Sequence, residues 1–441
     1  MAIQRIGWGV AAQAYSQGVT TLLQIVTTPM LIAIWGASQY GTWLIVSALP
    51  AYLALLDLGF SQTAANDMSM KLAHDDRTGA RRTYESLVGL YLYGIIPALV
   101  LCAFFVCLLP LDWLSHDQAA SMQSHRVAAV LLIGYVAAAI LSSIVAAALR
   151  SEGLLSTIVT LNTTSRLLEG FGIVLAARFF GAGIEGAAGA MLALRLLATV
   201  VMIATLHAKS SLLRLRLGHG DISEARRLLW PSLMYLGFPL GNALSLQGVL
   251  LVIGFFLSPA TVTAYATSRT LARLGVSTLG AINQVFLFEY AVRMRDSRGL
   301  VRIGAAHIVI EGLGSLLFFG ALWMFGGRIY ATWLGGRVPF DQAIFLIVVC
   351  QGALETVWAA CITPLTAWNK HSGVAAFYVA GTAIAMLAIV GILSAGGSLA
   401  QAVSVPAIMF AGLSIDAVMR LRRALRPMLG MELSSAIRQI S

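Results

Sequence analysis

From Gly7 to Ile34 the chain carries no charged side chain, and the same holds from Leu87 to Leu109, Val374 to Leu393 and Leu399 to Ile415. About 20 apolar residues in a helix cross the roughly 30 Å of hydrocarbon in a bilayer. In that setting every backbone N–H and C=O must find its partner inside the protein, which leaves helices and closed barrels as the only spanning forms. These runs are continuous rather than alternating, so they predict helices. Composition agrees: 441 residues are 59% hydrophobic and only 11% charged, with mean hydropathy +0.83. An average soluble domain has about 25% charged residues.

Apolar runs separated by charged punctuation predict an all-α polytopic membrane protein of twelve helices. They cover 7–34, 41–65, 84–109, 127–149, 154–177, 184–206, 228–257, 261–290, 303–325, 342–365, 374–393 and 399–418. The first run is too long for a signal-peptide core and is read as a span that stays in place. The longest polar break, 207–227, follows the sixth helix. It divides the chain into two six-helix lobes, 1–220 and 221–441, the layout of a transporter built from repeats. Gly18 and Pro29 in the first helix, and Pro231, Gly237, Pro239 and Gly241 in the seventh, mark expected interruptions.

The net charge of +10 is a topology signal, not a nucleic-acid footprint. With both termini in the cytoplasm, the 29 lysines and arginines leave only Arg126, Arg178, Arg328 and Arg337 in outer loops. Four more, Arg166, Arg195, Arg269 and Arg273, lie within spans, and the rest are cytoplasmic, as the positive-inside rule requires. The basic C-terminal segment beginning MRLRR is expected to rest on anionic lipid headgroups. Cys102, Cys107, Cys350 and Cys361 all fall in apolar runs without metal-ligand spacing.

Arg269 and Arg273 stand out. They are four residues apart, so they share a helix face, and no acid lies three or four residues away. At 1.5 Å per residue they sit about 12 and 18 Å inside the span, where a cation costs about 2.5–3.5 kcal/mol. An interior that tolerates two such forks is suited to an anionic substrate; the alternative is a structural ion pair with Glu311 or Glu355 on another helix. Arg195, without an acid near it in sequence, is a candidate for the same cavity. Arg166 is a weaker one, because Glu169 three residues on is placed to neutralise it. Gln17 and Asn242 are neutral polar groups on helices read as lining the cavity, placed equally to bond a substrate or to join neighbouring helices.

Asp57, about 24 Å from the outer face, is a candidate site for a coupling proton or sodium ion, beside Glu311 and Glu355. It is equally placed to fix a helix end beside Gly59. His307 and Glu311 form an i, i+4 pair near the inner interface, where simple solvation is the plainer reading.

The segment IWGASQYGTWLIVSALPAYLALLDLGFSQTAANDMSMKLAHDD (34–76), the stretch TSRTLARLGVSTLGAINQVF and the loop GGRIYATWLGG resemble polysaccharide flippases of the multidrug/oligosaccharidyl-lipid/polysaccharide (MOP) superfamily. The resemblance implies alternating access between two six-helix lobes around a central cavity in the bacterial inner membrane. The cargo would be an undecaprenyl-pyrophosphate-linked oligosaccharide, moved from the inner to the outer leaflet. Arg269 and Arg273 match the cationic positions that would meet the pyrophosphate. Partners would be that substrate, membrane lipids, and the polymerase and chain-length proteins of polysaccharide assembly. No cofactor is expected beyond a coupling H+ or Na+. The first helix holds Gln13, Gln17 and Gln24 where lipid II flippases are more basic, which counts against a peptidoglycan precursor. Two alternatives remain: a cation-coupled multidrug exporter of the same superfamily, and a membrane enzyme of polysaccharide assembly. The enzyme would need a larger outer loop than 110–126 and a nucleophile–base arrangement, and the sequence offers neither.

Overall fold

In a computed structural model of the chain, the structure describes residues 2–108, 122–210, 213, 221–293, 297–368, 370 and 372–440. Most of the 110–126 loop, and Arg214, Arg216 and Arg295, fall outside the described residues. The described residues form helices, with no strand among them.

The first helical stretch, Ala2–Val46, reverses at Gly36, whose φ of 78° and ψ of 171° suit only a residue without Cβ. We therefore count α1 as 2–35. α2 runs from 37 through Leu49–Leu53 and a 3-10 turn at Ala54–Asp57 into Phe60–Ala73. Then come α3 (Arg77–Leu90, continuing through a π-turn into Ile96–Leu108), α4 (Met122–Ser151), α5 (Leu155–Phe180) and α6 (Ile184–Lys209). α7 is assembled from Ile222–Tyr235, Gly237–Ala243, a π-turn at Leu244–Gly248 and Val249–Phe256. It is followed by α8 (Pro259–Val292), α9 (Ser297–Leu334), α10 (Gln342–Ala367), α11 (Ser372–Ser394) and α12 (Leu399–Ile440). Among the described residues ten stretches are long and apolar enough to cross a membrane, the first, Ala11–Asp57, joining α1 to most of α2. The chain is thus a multi-pass membrane protein of about twelve helices, as the apolar runs predict.

Of the expected interruptions, those in α1 are placed differently, whereas α7 does break beside Gly237. Gly18 and Pro29 leave α1 helical, and the break falls at Gly36 instead. Pro231 also sits inside a continuous helix, and α7 breaks at Leu236 and widens at 244–248. The proline ring clashes with the carbonyl four residues back, but neighbouring helices in a bundle can absorb the bend.

Contacts divide the chain into two units: Met1–Ala243 with Leu257–Thr263, and Leu244–Phe256 with Ala264–Ser441. In the first, α4 packs on α6, α5 on α1 and α6, and the 60–73 part of α2 on α3, α4 and the start of α7. Tyr84, Met68, Ile144 and Leu149 are fully buried there. Gly41 lets α2 approach the chain at Pro259 so closely that a Cβ would lie 1.8 Å from the Pro259 carbonyl oxygen.

The start of α7 is held by ions. Asp67 accepts from Thr83 Oγ1 (2.7 Å) and Arg227 Nη2 (2.8 Å), and pairs with Lys71 (3.0 Å). Burial pushes its carboxyl up, but the bonds from Thr83, Arg227 and Lys71 outweigh that and hold it below the usual carboxylate range. In the second unit α12 packs on α10 and α11, with the rings of Trp358, Tyr378 and Phe410 clustered, tilted or edge-on, at their junction.

Candidate functional site

α8 carries its two arginines on one face, yet their surroundings differ. Arg269 donates to the carbonyl of Leu246, which lies in the π-turn of α7, where the regular ladder is displaced. Its guanidinium carbon stands 5.4 Å from the centre of the Tyr265 ring, one turn back on α8, in cation–π range. No carboxylate pairs with it among the described residues. Arg273 is different: its Nη1 lies 3.3 Å from Glu355 Oε1 on α10, with the two side chains 26% and 17% exposed. A single contact of that length is a loose, one-pronged pairing.

One turn before Glu355, buried Gln351 leaves its Oε1 without a hydrogen-bond partner. Leu246, Arg269, Arg273, Val276, Gln351 and Glu355 wall a space of about 10 Å³, room for roughly one water. The space is small, and its walls hold two cations, one acid and an unused amide oxygen.

In the first unit the arginine–acid pairing departs from the expectation. Glu169 does not neutralise Arg166, which is exposed. It takes Arg195 from α6 at 2.9 Å, and both side chains are buried (6% and 9% exposed). Ser165 Oγ donates to Glu169 Oε1 (2.7 Å), Tyr135 OH donates to Oε2 (3.2 Å), and Arg195 also reaches the Tyr135 hydroxyl (3.0 Å). An i, i+3 neighbour loses here to a residue on another helix, because only Arg195 points into the α4–α5–α6 core. Gln17 on α1 is partly buried with its Nε2 unpartnered, and Asn242 is exposed.

Asp57 ends the 3-10 turn of α2 and accepts from both the N–H (3.3 Å) and Oγ (2.7 Å) of Ser61. It lies at the edge of a cavity of about 300 Å³ shared with Ser61, Gln62, Ser143, Arg150 and Asn162. Arg150 Nη1 donates to Gln62 Oε1. The sequence shows Arg150 only as one more basic residue after a span. What marks it is Asn162 and Gln62 converging on the same space from α5 and α2, which spacing along the chain does not reveal.

His307 and Glu311 are not solvated at an interface. They are 2% and 4% exposed, on the inward stripe of α9. His307 Nε2 lies 2.7 Å from Asn283 Oδ1, its Nδ1 3.2 Å from the Tyr290 hydroxyl, and Asn283 Nδ2 donates to Glu311 Oε1 at 3.1 Å. Phe286 stacks on the imidazole, ring centres 4.2 Å apart.

No family model matches the chain, and no curated protein matches it in sequence. Solved structures do match in shape. An inward-facing multidrug resistance MATE family transporter of the MOP superfamily aligns with TM-score 0.70 and 13% identity, over 92% of this chain and 95% of that one. The lipid II flippase MurJ, in an inward closed conformation, gives TM-score 0.71 and 11% identity, over 94% and 87%. A MATE protein in complex with MaL6 gives 0.66 and 13%, over 96% of each chain. At these identities the likeness shows the fold alone, the one that these MATE and MurJ structures have.

Proposed function

We propose that this chain is a flippase, carrying an undecaprenyl-pyrophosphate-linked oligosaccharide from the inner to the outer leaflet of a bacterial inner membrane, with both termini in the cytoplasm. The observation that carries the reading is Arg269. A guanidinium inside an apolar segment is held by a carbonyl oxygen and a ring, and Glu355, the one acid lining the same space, already pairs with Arg273, so the two cations are one counter-charge short. A pyrophosphate supplies it, with oxygens spaced for two-pronged bonding to arginine.

Glu355 holds Arg273 by one loose contact, so an incoming phosphate competes with it on good terms. The free Gln351 oxygen next to them accepts a hydroxyl of the first sugar. Asp57, Gln62, Arg150 and Asn162 offer the first unit a polar pocket for the glycan, since hydroxyls need both donors and acceptors. Flipping breaks no bond in the cargo, so no catalytic group is required.

The test is reconstitution. Proteoliposomes loaded on one leaflet with a labelled polyprenyl-pyrophosphate oligosaccharide should expose it to an outside lectin or glycosidase faster than protein-free vesicles do. Equal rates with and without protein would refute the reading. A cation-coupled multidrug exporter is the second reading, favoured by the MATE transporter likeness. Uptake of cationic drugs rather than glycolipid would establish it, although Arg269 repels such cargo.

A further inference from the structure

The stripe of α9 that faces inward carries His307 and Glu311, whereas Ile308, Val309 and Ile310 between them are exposed. The hydrogen bonds around these two residues run in one direction. Asn283 donates from Nδ2 to Glu311 Oε1, so its Oδ1 is the acceptor that meets His307 Nε2. Nε2 must then carry the ring hydrogen, which leaves Nδ1 to accept from the Tyr290 hydroxyl. Every donor in the chain Tyr290–His307–Asn283 is aimed at the same carboxyl, and that chain ends on one of its two oxygens.

The other oxygen, Oε2, is buried and has no hydrogen-bond partner. On the neighbouring helices, Tyr290 on α8, His307 on α9, Cys361 on α10 and Arg422 on α12 line the cavity next to it, and α10 also carries Glu355. Glu355 is engaged with Arg273, and no ion pair reaches Glu311 among the described residues. A bare anionic oxygen in such a place is the costly form of a carboxyl group, whereas a protonated one needs no counter-charge. A metal cation would need several oxygens around it. Among the described residues no group of three or more His, Cys, Asp or Glu side chains could hold one. A cavity of about 490 Å³ between α8, α9, α10 and α12 brings Tyr290 and His307 to its wall, while Glu311 lies one turn beyond its lining.

We propose that Glu311 is a proton-binding site of the second unit, which carries one proton on Oε2 in this conformation and gives it up when α8 and α9 part enough to admit water. Binding adds one proton to one carboxylate oxygen, and release returns it to that water. By linkage, the proton stabilises the conformation in which Glu311 is sealed, and hydration of the site favours the other. Tyr290, His307 and Asn283 are positioning residues that keep Oε1 occupied, so the proton has one place to sit. Coupling this site to transport rests on the proposed flippase function; the site itself does not.

Infrared spectroscopy of the full chain in lipid tests the site without any substrate. At neutral pH the wild type should show the C=O stretch of a protonated, slowly exchanging carboxyl, and Glu311→Gln should lose that band. Asn283→Leu should keep the band but move it to higher frequency, because its carbonyl loses a donor; this control stands even if the glutamine variant folds poorly. Identical wild-type and Glu311→Gln spectra, with no shift in Asn283→Leu, would overturn the proposal. In proteoliposomes that move cargo, an imposed pH gradient should change the wild-type rate and leave that of Glu311→Gln unchanged. A gradient response that persists in Glu311→Gln would overturn the coupling role. An infrared band without any cargo movement would count against the flippase reading alone.

Discussion

Removing the Glu169 charge should destabilise the first unit more than removing both members of the Glu169–Arg195 pair. The two side chains are nearly enclosed, 2.9 Å apart, with Tyr135 and Ser165 bonded to the same carboxylate. Unit charges about 4 Å apart attract by roughly 4 kcal/mol at an effective dielectric constant of 20, and withdrawing each ion from water costs several kcal/mol. The intact pair is therefore close to break-even.

Glu169→Gln leaves Arg195 buried with no counter-charge. The Tyr135 hydroxyl and ring stay against Arg195 but carry no formal charge, and its Nε has no hydrogen-bond partner. The expected loss is about 3–5 kcal/mol. The double variant Glu169→Leu, Arg195→Met fills similar volume with apolar atoms and should come within about 1 kcal/mol of wild type, or exceed it. Tyr135→Phe removes one hydroxyl bonded to charged groups and should cost about 1.5–3 kcal/mol. Equilibrium unfolding in bicelles, read by steric trapping, of these three variants and the singles Glu169→Leu and Arg195→Met gives each loss and the coupling energy directly. A double variant whose loss equals the sum of its singles would refute the reasoning, since the two groups would then be independent.

Other expectations are simpler. Gly41→Ala should cost about 1–3 kcal/mol, because its Cβ would meet the Pro259 backbone, whereas Gly18→Ala, with nothing within 4 Å of its Cβ, should be neutral or mildly stabilising. Comparable melting shifts for both would contradict the close approach. Because Asp67 is held below the usual carboxylate range, its stabilising effect is present above its unfolded-state pKa and is lost as pH falls through the folded one. A melting profile against pH should therefore decline on the acid side, and Asp67→Asn should flatten that decline; parallel profiles would argue against it. Glu355→Gln should free Arg273 and tighten binding of inorganic pyrophosphate, measured by calorimetry, and weaker binding would show that Glu355 orients Arg273 rather than competing for it.

The helices were legible because their signal is local. A charge-free run long enough to span a bilayer needs no partner to be recognised, and the reversal at Gly36 sits inside the segment that carries the family resemblance. Pro29 misled because a proline's cost depends on the helices packed around it. Pairings were less legible. Arg195 lies on α6 and Glu169 on α5, and Arg273 and Glu355 are farther apart still, so short spacing favoured Arg166, and Glu355 stood beside Glu311 as one of two cross-helix alternatives for Arg273. His307 and Glu311 were visible as a pair on one helix face. Their burial was not, because it depends on Asn283, Phe286 and Tyr290 arriving from α8.

The central claim is that an anionic headgroup completes the α8 site, and Arg269 tests it most directly. A charge-assisted hydrogen bond contributes about 1.5–3 kcal/mol, or roughly 10- to 150-fold in affinity. At matched insertion in proteoliposomes, Arg269→Met should lose at least about 10-fold in pyrophosphate-glycolipid flipping rate, and Arg273→Lys should keep part of the rate that Arg273→Ala loses. Wild-type flipping by Arg269→Met would contradict the claim.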